Sequence, residues 1–230
     1  MNRNAKPRTS AAAKLTATQR RDQTARAAIR HLARADQRLG ALIKAIGPFR
    51  PSIDTDPFIT LVGSILQQQI SMSAAASVQK KLVALCPRRR IRPEHILNLS
   101  DNELRSAGIS RQKCRYLRSL AEHFASGELS TRKLRSMDDE EIIAATTRVV
   151  GIGRWTAEML LIFCLERPDV WPVDDLGLRK AAQAFFQLPE PPPPKTLLPL
   201  GDPWRPFRTY ASWYLWRSLE GPFMPGVVLA

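Results

Sequence analysis

VVGIGRWTAEMLLIF, at residues 149–163, contains two glycines on either side of one isoleucine, directly before an apolar run of helical period. Because glycine reaches positive φ and lets two backbones approach closely, Gly151 and Gly153 predict a sharp turn into the first turn of a helix. We expect Ile152 to plug this turn into the core. The segment predicts a helix-hairpin-helix over about residues 138–164, with free N–H groups that suit an anion. GIG alone also fits an ordinary connection between two helices.

The rest of the chain is predicted to be all-α. Helices are expected at about residues 23–46, 57–66, 71–85 and from about 137, because apolar residues recur there at three- and four-residue steps. Ser100 with Glu103 forms the pattern of a capping box at a further helix. Alternation with a period of two is absent from the sequence, so strands are not expected. The proline-dense stretch at 188–204 predicts an extended connection.

The charge of the chain points to a polyanionic partner. Its 230 residues include 35 Lys and Arg against 21 Asp and Glu, a formal net charge of +14. Nucleic acid is the first candidate and an anionic membrane surface the second, with a generally basic soluble protein as the alternative. The first 24 residues predict a basic, disordered arm, although an organellar transit peptide has a similar composition. PRRR at 87–90 indicates a solvated basic face that adds nonspecific binding.

Cysteine usage and hydropathy give the expected compartment. Cys86, Cys114 and Cys164 lie far apart in sequence without a CxxC pair, so neither a disulfide framework nor a cysteine-bound cluster is expected. Apolar runs stay below the ~18 residues of a membrane span, and the N-terminus lacks the apolar core of a secretory signal. We expect a soluble, intracellular protein, cytoplasmic if bacterial, with the nucleus or an organelle as alternatives.

Two adjacent carboxylates, Asp174 and Asp175, follow an apolar turn and open a helix about twenty residues after the hairpin. Acids at a helix start are common caps that contribute about 0.5 to 2 kcal/mol. Taken by itself, the pair is best interpreted as a cap.

Together these stretches resemble the helix-hairpin-helix (HhH-GPD) DNA glycosylases. The segments ILQQQIS, LRSAGISRQKCRYLRSLAEHFASGEL, VVGIGRWTAEML, VDDLGLRK and PWRPFRTYASWYLW occur in the order of that family. The resemblance is to the AlkA-like, 3-methyladenine DNA glycosylase II branch and covers roughly residues 25–220. It implies two helical subdomains with a cleft between them, one of residues 57–160 and the other of 25–56 plus 161–230.

The resemblance implies a hydrolase of N-glycosyl bonds. By alignment with the family motif, Asp175 is the catalytic carboxylate and Asp174 its neighbour. Family members that also cleave the strand carry a lysine where this chain has Trp155, which implies a monofunctional enzyme that leaves an abasic site. Members with an iron-sulfur cluster carry four cysteines near the C-terminus, a set that this chain lacks, so no cofactor is expected.

A DNA wedge and a base pocket follow from the same resemblance. Gln69 matches the residue that fills the gap left by the flipped nucleotide, with Gln68 before it, although a polar helix end would also explain these glutamines. Pocket aromatics attract electron-poor alkylated bases. The pocket candidates are Trp155 and Trp216, with Trp171 and Tyr214 as weaker ones and Met159 at a position that is aromatic in some relatives. For each tryptophan, a packing role in the core is the alternative.

Phosphate contacts and partners complete the expected picture. The phosphate contacts are expected from Gly151, Gly153, Arg154, Arg111 and Lys113. No side-chain metal site is expected, whereas relatives hold a monovalent cation with carbonyls of the hairpin. The partner is double-stranded DNA with damaged bases, no membrane is involved, and we expect a monomer.

Two other functions stay open at this point. The substrate could instead be a deaminated or oxidised base. The chain could also be a non-catalytic protein that binds DNA damage, but such a protein needs phosphate contacts and a wedge rather than the carboxylate of Asp175.

Overall fold

The structure, a computed structural model, describes residues 16–51, 53 and 56–221. Within these ranges the chain forms thirteen α-helices, two short 3-10 turns and no strand, which confirms the all-α class. The helices are α1 (Ala17–Ala35), α2 (Gln37–Ile46), α3 (Pro57–Gln67), α4 (Met72–Leu85), α5 (Pro93–Asn98), α6 (Asp101–Ser106), α7 (Arg111–Ala125), α8 (Thr131–Ser136), α9 (Asp139–Thr146), α10 (Arg154–Phe163), α11 (Leu176–Phe186), α12 (Pro194–Leu200) and α13 (Arg208–Ser218). The 3-10 turns are Pro87–Arg89 and Asp202–Trp204.

The N-terminal helical region differs from the prediction in two ways. The first helix begins at Ala17, so residues 17–24 are helical rather than part of a disordered arm, while residues 1–15 lie outside the described residues. The helix predicted for 23–46 is two helices separated at Asp36. The Asp36 carboxylate accepts the first free N–H groups of α2, and this cap stabilises a new helix start inside an otherwise continuous pattern.

The predicted capping box of α6 is confirmed, because the side chains of Ser100 and Glu103 each accept a backbone N–H of the other residue. The extended connection predicted for 188–204 is wrong, since α12 forms inside it. Pro194 occupies the first helical position, where a missing N–H costs nothing. Leu197 is fully buried in this helix and its carbonyl accepts the indole N–H of Trp171 at 3.1 Å, so tertiary packing holds the segment helical.

The core consists of two clusters of buried side chains. The first runs from Phe58 to Val170 and the second is built by α1, α2 and α11 to α13 with Trp171. The first cluster continues through α10, past the subdomain boundary expected at residue 160. The partly buried Trp216 packs against both clusters, so α13 is positioned where the two meet.

All three thiols are buried, and burial raises the pKa of both Cys86 and Cys114. Within the described ranges, no cluster of three or more His, Cys, Asp and Glu side chains could hold a metal ion. Among the helices of the same ranges, none has the length and apolar character needed to cross a membrane.

Candidate active site

The turn between α9 and α10 uses its two glycines differently. Gly151 has φ of +88°, and a Cβ there would lie 2.3 Å from the ring of Tyr116, so both conformation and space require glycine. Gly153 has φ of −99° and a Cβ there would meet nothing within 4 Å, so of the two glycines Gly151 alone uses the positive φ that glycine allows. Ile152 is 5% exposed and packs in the first cluster, as predicted.

The open space beside Gly153 leads to the first turn of α10. Gly153 is the N-cap residue, and no side chain caps this helix. The partial positive charge of the helix start is therefore available to an anion from solvent. Arg154, expected to bind phosphate, is held by Glu140 at 2.6 Å and by Glu158 at 3.1 Å. Its charge is thus largely neutralised by these carboxylates.

The other two predicted phosphate ligands differ from each other. Arg111 is exposed and makes no ion pair with the described residues. The Lys113 ammonium instead donates to the Leu66 carbonyl at 2.7 Å, and burial lowers the pKa of this lysine. Lys113 therefore stabilises the end of α3.

Asp175 is the N-cap residue of α11 and accepts three hydrogen bonds. Its Oδ1 accepts the Leu178 backbone N–H at 2.5 Å and the Trp216 indole N–H at 2.8 Å. Its Oδ2 accepts the Trp155 indole N–H at 2.8 Å. The carboxyl group is thereby fixed between α10, α11 and α13. Its neighbour Asp174 is exposed and makes no side-chain hydrogen bond with the described residues.

A cleft of about 600 Å³ opens beside this carboxyl group. One face of α10 supplies its aromatic and thioether wall, because Trp155, Met159 and Phe163 follow at four-residue steps. Trp155 is 45% exposed although it is large and apolar. Asp175 itself does not line the cleft and is joined to it through the Trp155 indole. Sequence reasoning missed Phe163, which the same four-residue spacing would have found.

The turn between α3 and α4 forms the opposite wall. Gln69 is exposed there with φ of +58°, a left-handed conformation that a non-glycine residue adopts at some cost. Gln68 lines the cleft and donates from Nε2 to the Gly151 carbonyl at 2.9 Å. This bond ties the turn to the hairpin and engages one of the hairpin carbonyls. Gln68 therefore links the two turns by a hydrogen bond and is not free to act as a wedge.

Two of the predicted pocket residues lie in the core instead. Trp171 is 5% exposed and packs edge to face against Trp204 in the second cluster. Tyr214 is completely buried and donates its hydroxyl to the Gly47 carbonyl at 3.0 Å. The placement of both in the pocket is wrong, because each indole or phenol finds a backbone partner inside the fold. Trp216, by contrast, stacks on Phe163 with ring centroids 5.9 Å apart and contacts Asp175.

Glu158 is a second carboxyl group near the cleft that sequence reasoning missed. The residue is 4% exposed, and burial raises its pKa to about 7 although Arg154 opposes this shift. One oxygen accepts from Arg154, whereas the buried Oε2 has no hydrogen-bond partner among the described residues. Glu158 follows Arg154 by four residues, a helical spacing that predicts an ion pair. This spacing does not predict that the Glu158 side chain is buried.

These features agree with a family match. Residues 62–206 match the family described as HhH-GPD superfamily base excision DNA repair protein, which is more than half of the chain. The chain belongs to this superfamily. The matched HhH-GPD region contains the hairpin, the Gln69 turn and Asp175, while the Trp216 helix lies beyond its end.

Three relatives of this HhH-GPD protein are similar to it over 85% or more of their own length. DNA-3-methyladenine glycosylase 1 of Schizosaccharomyces pombe is 34% identical over 82% of this chain and 85% of its own. A solved Schizosaccharomyces pombe 3-methyladenine DNA glycosylase in complex with abasic DNA has a TM-score of 0.78 at 33% identity, covering 86% of this chain and 99% of that one. A Bacillus halodurans DNA-3-methyladenine glycosidase has a TM-score of 0.77 at 34% identity, with 83% and 88% coverage.

Proposed function

We propose that this HhH-GPD protein is a DNA glycosylase that hydrolyses the N-glycosidic bond of alkylated bases of the 3-methyladenine type, flipped from duplex DNA, and leaves an abasic site. The observation that carries this proposal is the Asp175 carboxyl group, held by three N–H donors beside an aromatic cleft. The names of the relatives and the abasic DNA bound to one of them support the same activity.

Access to the bond requires the damaged nucleotide to leave the stack, at a cost of a few kcal/mol that is smallest for damaged bases. Exposed Gln69 fills the vacated space from the α3–α4 turn. The uncapped start of α10 and exposed Arg111 hold the DNA backbone. The base enters the cleft and stacks on the exposed face of Trp155, which attracts a cationic or electron-poor ring more than a normal base.

The reaction breaks the bond between the sugar C1′ and the base nitrogen. The electron pair of this bond leaves with the base, which an alkylated, positively charged purine accepts without prior protonation. The sugar passes through a state with oxocarbenium character, which the fixed Asp175 carboxyl group stabilises. A water oriented by the same group adds its hydroxyl to C1′ and releases its remaining proton to solvent. Fixing by three donors means that little reorganisation is needed as charge develops.

The enzyme is proposed to be monofunctional. The side chain at the position of the strand-cleaving lysine is the Trp155 indole, which donates to Asp175 and cannot form a Schiff base. Borohydride treatment of the protein with damaged DNA is expected to trap no covalent complex. A trapped complex would contradict this part of the proposal while leaving the glycosylase activity intact.

The deciding experiment is release of free bases from alkylated duplex DNA, resolved by chromatography, for wild type, Asp175→Asn and Asp174→Asn. We expect 3-methyladenine release to fall on the order of 10³-fold for Asp175→Asn. Asp174→Asn, which removes the adjacent exposed acid, should keep most of the activity. Binding to a duplex with a stable abasic analogue should be similar for all three proteins.

Equal losses for the two variants would reject the role of Asp175, as would a loss of binding in proportion to activity. If wild type binds damaged DNA and releases no base from alkylated, deaminated or oxidised substrates, the protein is a damage-binding module. Release of deaminated or oxidised bases alone would keep the reaction and change the substrate.

A further inference from the structure

We infer that the duplex beside the damaged base is held at a second phosphate site, formed by Arg88, Arg90 and Arg92 at the far end of α4. This inference rests on the proposed function, because it takes DNA bound at the Gln69 turn as its starting point. The site lies outside the hairpin and the cleft. The site would bind the duplex on only one side of the damaged base.

The site is a pocket of about 280 Å³ lined by basic side chains. Its lining residues are Pro87, Arg88, Arg90, Arg92 and His95. Among the described residues, neither Arg88 nor Arg90 makes an ion pair, and Arg92 meets only Glu94 at 3.6 Å, with both side chains more than half exposed. The His95 ring is oriented by a 2.6 Å contact between its Nδ1 and the Arg90 carbonyl.

The pocket arginines differ from the arginines that are paired with a carboxylate. Arg118, Arg154 and Arg208 each have a carboxylate within 2.8 Å, so their charges are largely neutralised by acids of the same chain. The arginines of the pocket keep most of their charge for a partner from solvent. Three guanidinium groups around one cavity match the chemistry of phosphate, which they bind with paired N–H donors.

Two backbone N–H groups of the pocket segment are already hydrogen-bonded, so an anion would be bound by side chains. Arg88 and Arg89 both have left-handed φ, of 52° and 54°, which is uncommon for adjacent residues other than glycine. The N–H groups of Arg89 and Arg90 already donate to the Cys86 and Pro87 carbonyls. An anion in the pocket would therefore be recognised by guanidinium groups rather than by a backbone nest.

Helix α4 connects this pocket to the predicted wedge. It begins at Met72, three residues after Gln69, and its fourteen residues span about 20 Å. Successive charges on one DNA strand lie about 3.4 Å apart along the duplex axis, so a duplex parallel to α4 would have about six nucleotides between the wedge and the pocket.

The exposed side of α4 suits a passing DNA strand. Ser73, Ser77, Lys80 and Ala84 recur at three- and four-residue steps, and all are exposed. The two serines and the alanine are small, which leaves room for a sugar-phosphate backbone, and the lysine is a cation. This stripe runs from the wedge end of the helix toward the arginine pocket. Its continuity favours duplex DNA over a free phosphate ion as the occupant.

The test compares wild type with the triple variant Arg88→Gln, Arg90→Gln, Arg92→Gln. The matched control is Arg26→Gln, Arg30→Gln, Arg34→Gln on α1, which removes the same charge from exposed arginines that make no ion pair with the described residues. The probes are labelled duplexes with an abasic analogue and arms of about 4 or about 10 base pairs, lengthened on one side at a time. Binding is measured by fluorescence anisotropy over a range of salt concentrations.

Wild type should bind more tightly when the arm is lengthened on one side. The pocket variant should lose this gain, so its affinity for the long duplex should be about tenfold or more below that of wild type. The slope of log K against log salt should decrease by about two to three on the long duplex, near 0.9 for each phosphate contact, and stay unchanged on the short one. The control should keep the gain. Base release at saturating DNA should be the same for all three proteins.

Equal losses on short and long duplexes would overturn the inference, and so would the same loss in the control. Binding of inorganic phosphate at the pocket without any effect of arm length on DNA binding would show an anion site unrelated to DNA. This outcome would also overturn the inference. Failure of the proposed function is distinguishable, because wild type would then release no base at all.

Discussion

Two carboxyl groups at or near α10 differ in their burial and in the number of hydrogen bonds that they accept. Asp175 is half-buried and accepts three N–H donors from three different helices. Glu158 is almost completely buried, receives one bond from Arg154, and leaves its other oxygen without a partner among the described residues. Hydrogen-bond donors fix the first group for charge stabilisation, whereas desolvation favours the neutral form of the second.

The difference shows that burial alone does not identify the reactive acid. The strongly raised pKa belongs to Glu158, a property often found in functional carboxyl groups. Neither carboxyl group lines the cleft, but Asp175 is joined to it through the Trp155 indole, whereas in the described part of the chain Glu158 accepts only from Arg154. Donor geometry and the link through Trp155 therefore favour Asp175.

The largest effect is expected for the pH dependence of stability in Glu158→Gln. The pKa of Glu158 lies at about 7 in the folded protein and near its ordinary value of 4.5 in the unfolded chain. The neutral form is therefore favoured by folding: its stabilising contribution is complete below about pH 4.5 and is lost as the pH rises toward 7. Relative to wild type, Glu158→Gln should gain roughly 3 kcal/mol between these limits, measured by urea unfolding.

Activity of Glu158→Gln should stay within about threefold of wild type, because its carboxyl group bonds Arg154 and not the cleft residue Trp155. If the stabilities of wild type and Glu158→Gln changed with pH in parallel, this result would contradict a buried, neutral Glu158. A loss of base release as large as that of Asp175→Asn would remove the distinction between the two acids.

A smaller effect is expected for Trp216→Phe, which keeps an aromatic ring but removes one donor to Asp175. One such bond contributes about 1 kcal/mol, so the rate at saturating DNA should fall about fivefold. The control is Trp213→Phe, the same change one turn earlier on α13, where the indole makes no hydrogen bond to a carboxylate among the described residues. Equal rates for the two variants would show that orientation of Asp175 by Trp216 is unimportant.

The smallest effect is expected for Glu140→Gln, which removes the exposed partner of Arg154. Stability should change by less than about 1 kcal/mol, as is usual for a surface ion pair. DNA affinity should rise about two- to fivefold, because one negative charge is lost near the hairpin and Arg154 becomes available to phosphate. Glu141→Gln is the control, since it removes the neighbouring charge and keeps the capping box of α9. The same gain in both variants would indicate a general charge effect.

Short-range patterns predicted much of this molecule. The spacing of Gly151, Ile152 and Gly153 predicted the hairpin, and Ser100 with Glu103 predicted a helix start, because these contacts lie within a few residues. The resemblance to a family singled out Asp175.

Long-range contacts were beyond such patterns. The two indole donors to Asp175 come from positions 20 residues before and 41 residues after it, and no local pattern links them. Trp171 and Trp155 are the same residue type with opposite exposure, which only the packed fold decides. Helix α12 likewise receives a hydrogen bond at Leu197 from Trp171, which lies 26 residues earlier in the chain.

The buried thiols have a consequence for survival of the protein during the stress that it is proposed to repair. Alkylating agents are electrophiles, and a thiolate is the side chain that they modify fastest. Cys86 and Cys114 are buried and have raised pKa values, so the thiolate is scarce at neutral pH, and Cys164 is buried as well. A repair protein built in this way resists inactivation by the reagents that create its substrate.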